Sequence, residues 1–143
     1  MFTAYAAVVL VGAGSPDSAV IVDSGSTNSP GYRIEVRPDG SASVSTGSAT
    51  PKPFTVAQAT VARFFADLAA ARKGNATTAA CAKSASFGST LRVTWQQWVS
   101  PDLTCPPNDA LGAALITDVQ TLREVAGIKA APIRQGPEIQ PPD

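Results

Sequence analysis

The run Tyr32-Arg33-Ile34-Glu35-Val36-Arg37 alternates apolar and charged residues without a slip. A period of two places Tyr32, Ile34 and Val36 on one face of a strand and leaves Arg33, Glu35 and Arg37 in water. Pro38-Asp39-Gly40 follows with turn chemistry, the proline fixing φ and the glycine taking a left-handed position. Ser41 to Ser45 returns as a weaker strand with Ala42 and Val44 pointing inward, so this stretch predicts a hairpin. Ahead of it, Ala19-Val20-Ile21-Val22 is a short β-branched run that reads as a buried strand. The polar residues Asp23 to Gly31 read as the loop that follows.

After Pro51-Lys52-Pro53, which ends this first β section, the period lengthens. Thr55 and Gln58 have the spacing of a capping box, and Val61, Phe64, Phe65 and Leu68 follow at helical intervals. Arg72 and Lys73 suit the negative end of the helix dipole and Gly74 closes the helix, which is predicted from Val56 to Lys73. Phe87 to Trp95 is extended, with Leu91, Val93 and Trp95 sharing a face. Gln96-Gln97 reads as a tight turn that lacks the usual glycine, and Trp98-Val99-Ser100 pairs back until Pro101. A second helix opens behind Pro106-Pro107-Asn108-Asp109, its stripe formed by Leu111, Leu115, Val119, Leu122 and Ala126, with Gly127 at its end. From Lys129 the chain is rich in proline and loses its period.

These stripes predict an α+β domain over residues 17–128. It consists of an antiparallel sheet of four to five strands with two helices packed on one face, in the order β-ββ-α-ββ-α. Residues 129–143 form a Pro-rich tail. Residues 1–16 carry no charge, and Ala4 to Ala13 has the length of a signal-peptide core, short of a membrane span. The positively charged leader of such a segment is missing, as in a truncated start; the competing reading is a first strand of the domain.

Composition removes many functions. The chain has 143 residues, 11 Lys plus Arg and 11 Asp plus Glu, so no basic surplus marks it for nucleic acid. It contains no histidine, which excludes Ser-His-Asp and Cys-His catalysis and histidine zinc sites. No metal site and no cofactor are expected. The two cysteines, Cys81 and Cys105, bracket both tryptophans and the best β-forming stretch of the C-terminal half. An even count around such a segment reads as a disulfide in a chain that matures outside the cytoplasm, secreted or periplasmic. Closing that loop contributes about 3 kcal/mol by the chain-entropy argument.

Three stretches carry a candidate chemistry. Val20-Ile21-Val22-Asp23-Ser24-Gly25-Ser26-Thr27 resembles the catalytic turn of aspartic proteases, in which two aspartates share a proton. One copy in so short a chain fits only the homodimeric, retroviral-like form, and the strong central helix does not belong in that mostly-β fold. Asp-Ser-Gly-Ser is also ordinary turn composition. Ser84-Ala85-Ser86-Phe87-Gly88 comes close to a nucleophile elbow but lacks its first glycine, and only Lys83 is at hand as a base. Trp95 and Trp98 flank the Gln96-Gln97 turn. A tryptophan exposed there, with Pro101 and Asp102 beside it, would anchor a partner; the competing reading has both indoles capping the apolar face of the sheet.

Gly31-Tyr32-Arg33-Ile34-Glu35-Val36 through Asp39-Gly40, Cys81-Ala82-Lys83-Ser84-Ala85-Ser86-Phe87-Gly88-Ser89, and Ser100-Pro101-Asp102-Leu103-Thr104-Cys105-Pro106 together resemble a group of small exported bacterial proteins of unassigned function. The resemblance covers residues 19 to 126. It implies export, the disulfide and the α+β order, and it brings no catalytic residues. The resulting expectation is a non-catalytic module, monomeric or weakly associating, that binds an extracytoplasmic protein or ligand through Trp98, Asp102 and Trp95; an inhibitor-like domain fits this description, although no reactive-loop signature marks it. The alternative is the dimeric peptidase acting through Asp23.

Overall fold

The computed structural model describes residues 17–83 and 88–128. The expected leader or first strand (1–16), the Pro-rich tail (129–143) and the serines of the elbow-like stretch, Ser84 and Ser86, lie outside the described residues. The alternation around Ile34 becomes strand β2 (Tyr32–Val36), which lies between β1 (Ala19–Asp23) and β3 (Ser41–Thr46). The register sets Ile34 opposite Ile21 on one side and Val44 on the other, and Ile21 opposite Val93 of β5 (Leu91–Trp95). One row of aliphatic side chains therefore crosses four strands on a single face, as the period of two requires. Strand β4 (Lys52–Thr55) adds to β3, and β6 (Trp98–Val99) adds to β5. All pairings are antiparallel, in the order β4-β3-β2-β1-β5-β6.

The sheet thus has six strands rather than four to five, and the chain order is four strands, a helix, two strands and a helix. The added strand is the Pro51-Lys52-Pro53 region, which the prolines marked as a β terminus. Pro53 is accommodated because β4 is an edge: a missing N–H on the outer side costs no ladder bond and discourages a further strand from adding. The same pairing moves the start of helix α1 (Gln58–Lys73). Thr55 lies opposite Ser41 in the ladder, and the Val56 amide donates to the Gly40 carbonyl at 2.9 Å. The capping box does not form; Ala57 is the N-cap and makes no side-chain cap bond. Gly40 has φ +90°, and a Cβ there would meet the Val56 carbonyl oxygen at 2.7 Å, so this corner requires glycine on both counts.

Helix α2 (Ala110–Val125) begins where the polar cluster placed it, with the Asp109 carboxylate accepting the Gly112 amide at 2.9 Å. At the end of α1 the left-handed residue is Asn75 (φ 51°), one position beyond the expected Gly74. Val61, Phe64, Leu68 and Ala71 of α1, with Leu115, Val119 and Leu122 of α2, are buried together with Ile21, Ile34, Val36 and Val93 of the sheet. Full burial of each larger side chain is worth about 1.5–3 kcal/mol, which makes this layer the main source of cohesion. No helix among the described residues is long and apolar enough to cross a membrane.

Candidate functional site

The hairpin formed by β5 and β6 closes through Gln96 (φ 48°) and Gln97 (φ 67°), two successive non-glycine residues in the left-handed region. This is the backbone of a two-residue type I′ turn, which glycine and asparagine normally supply. Trp95 and Trp98 lie directly opposite each other in the ladder, so they share a face, and both are half-buried against the core. The arrangement with one indole in the core and one in solvent is therefore not what forms. Helix α1 grips this tip. Phe65 meets Trp95 edge-on with ring centroids 6.2 Å apart, the Arg72 guanidinium lies 5.9 Å from the Trp95 ring, and Arg72 Nη1 donates to Gln96 Oε1 at 2.9 Å.

Beyond the hairpin the chain stays beside β5: the Ser100 and Leu103 amides donate to the Val93 and Leu91 carbonyls at 2.8 and 2.7 Å, but side chains replace backbone as acceptors of the β5 amides. The Val93 amide donates to Ser100 Oγ at 2.9 Å, and the Leu91 amide to Asp102 Oδ1 at 3.1 Å. Pro101 sits between these two residues. Asp102 Oδ1 also accepts from the Thr104 amide and hydroxyl, at 3.1 and 2.8 Å, while Oδ2 pairs with Lys83 Nζ. Burial disfavours the ionised carboxylate, yet Lys83, the Leu91 amide and Thr104 outweigh it and hold the Asp102 carboxyl down at about 2. Both oxygens of Asp102 are therefore engaged within the domain. Leu103 is buried, and Cys105 is bonded to Cys81 with Cα atoms 5.5 Å apart. The Ala79 amide then donates to the Pro106 carbonyl and the Asn108 amide to that of Thr77, so the disulfide staples the connector after α1 to the segment entering α2. The Ser100–Pro106 motif builds this seam.

Asp23 ends β1 between Tyr32 and Leu91. Its Oδ1 accepts the Gly25 amide at 2.8 Å, closing an Asx turn, and Ser24 continues the pairing with β5 through mutual bonds to Thr90 at 2.9 Å. Gly25 (φ +67°) and Gly31 pack backbone to backbone here; a Cβ on Gly25 would strike Gly31 and one on Gly31 would strike the Asp23 carbonyl. Asp23 and Ser24 line an exposed hollow of about 340 Å³ with Val22, Arg33 and Ser45. Across the end of the sheet, Arg123 lies over the Tyr32 ring at 5.5 Å. Burial pushes the Tyr32 phenol up to about 12, Arg123 pulling against it and Asp23 adding to it.

The sequence reading missed one site. Asp118 is 3% exposed and lies between α2 and α1. Its Oδ1 accepts from Arg63 Nε at 3.2 Å, while the buried Oδ2 has no donor; it stands against the carboxyl of Asp67. Two ionised carboxylates have no hydrogen to share, so a bond between them requires that one keep its proton. Burial, then Asp67, pushes the Asp118 carboxyl up to about 7, with Arg63 opposing. The signal lay in the α2 stripe, where Asp118 falls three residues after Leu115 and four before Leu122. An acid in that register must face the interior.

Among the described residues, no cluster of three or more His, Cys, Asp or Glu residues could hold a metal ion. No protein family, curated protein or solved structure matches this chain.

Proposed function

We propose that this is an exported, disulfide-stapled, non-catalytic module that binds a protein partner through the β5–β6 hairpin tip. One observation carries the reading: Gln96 and Gln97 hold a backbone that costs on the order of 1 kcal/mol per residue where glycine would cost little. Joining the two strands does not itself demand it, since Asn-Gly would make the same turn. A tip kept in a strained form, pinned by Arg72 and flanked by two half-exposed indoles, is a pre-organised contact of the kind that dominates interface energy. Trp98 and Trp95 are the anchors and Gln97 the exposed crest between them. Asp102, engaged on both oxygens, supports the hairpin from behind. The Cys81–Cys105 bond supports maturation outside the reducing cell interior, in the secreted or periplasmic space.

The test is affinity capture from an extracytoplasmic protein fraction on the immobilised, oxidised chain. A protein retained by the native chain is expected to be lost with Trp98→Ala. The same loss is expected with Gln97→Lys, which alters the crest and no core contact. The distant Val125→Ala, on the exposed side of α2, is expected to retain it. Equal retention by all four proteins overturns the assignment of the surface.

A further inference from the structure

We propose that Asp67 and Asp118 form a proton-operated latch between α1 and α2 that sets how firmly the hairpin tip is held. This inference rests on the tip being the contact surface. Arg63 and Asp67 are one helical turn apart on the α1 face that meets α2; Arg63 bonds Asp118 Oδ1, and the Asp67 carboxyl acts on Asp118 from the same side. They are the charged groups that act on it. With one proton in the pair, a carboxylic O–H donates to the opposing carboxylate and supplies the donor that Asp118 Oδ2 otherwise lacks. When that proton leaves to solvent, two negative charges face each other at a position 3% exposed. Arg63 then neutralises only Oδ1, from a side chain that is itself 59% exposed and screened by water.

Two features make the latch selective. The chain has no histidine and both cysteines are bonded, so its usual near-neutral titrating side chains are missing. The helix that carries Asp67 also carries Phe65 and Arg72, the residues that hold Trp95 and Gln96. Loosening α1 from α2 therefore relaxes the grip on the tip, while protonation restores it.

The experiment uses the full oxidised chain. Its only two tryptophans are Trp95 and Trp98, so indole emission reports on the tip directly. Between pH 5 and 9 the native chain is expected to show one reversible emission change with a midpoint near pH 7. Asp118→Asn, whose amide donates to Asp67 without titrating, is expected to keep the acid-form spectrum throughout. Asp67→Asn removes the opposing charge from the other helix while leaving Asp118 buried, and is expected to lower the midpoint. A flat native profile, or a midpoint unchanged in both variants, overturns the latch. The two readings fail separately: partner capture at pH 5 tests the surface whatever the titration shows, and the emission change needs no partner.

Discussion

Asp102→Ala is expected to cost about 3 kcal/mol of stability at pH 7. The substitution leaves the Leu91 amide, on a residue 7% exposed, without its acceptor, and a stranded buried donor costs about 1–3 kcal/mol. It also removes the bonds from Thr104 and the Lys83 pair, on a side chain only 14% exposed. Charge-assisted bonds are worth about 1.5–3 kcal/mol each, but these share one carboxylate and do not add. Urea unfolding of the oxidised protein checks this: with a slope of about 1.5 kcal/mol per molar, the midpoint falls by about 2 M. The pH dependence has a definite sign. The carboxyl is held at about 2 in the folded protein against 3.8 free, so its stabilisation is complete above about pH 4 and fades as pH falls through 2. Native and variant midpoints should therefore converge in acid, by about 2.5 kcal/mol. A variant within about 0.5 kcal/mol of native at pH 7 refutes the seam built by Ser100–Pro106.

Three further outcomes follow from the same geometry. Replacing both Cys81 and Cys105 by serine removes a link across 24 positions and is expected to lower stability by about 3 kcal/mol, read by thermal or urea unfolding. Gln97→Gly relieves a φ of 67° and is expected to raise stability by about 1 kcal/mol; a lower urea midpoint would mean the turn is not strained. In a Tyr5→Phe background, absorbance at ~295 nm reads Tyr32 alone. Its phenolate should appear only near pH 12, and ionisation by pH 10 would contradict the burial and the missing hydroxyl partner.

Local pattern alone determined the hairpin of β2 and β3, the strand β1 (of which Ala19 and Ile21 are buried but Val22 is exposed), the stripes of both helices, the Asp109 cap and the pairing of the only two cysteines. Each rests on a period, a turn residue or a count that needs no distant neighbour. Tertiary structure decided the rest. Pro51-Lys52-Pro53 looked like an ending because proline removes a donor, but an edge strand does not use the donor on its outer side, so β4 forms and takes Thr55 away from the helix cap. Ser100 read as the end of a returning strand and Asp102 as part of the contact surface. Only the fold brings Val93 and Leu91 alongside them, where their side chains stand in for backbone acceptors. Asp118 was visible as an acid in an apolar stripe. Its partner was not, because Asp67 lies 51 positions earlier on the other helix, and burial between the helices, reinforced by Asp67, is what pushes the Asp118 carboxyl up.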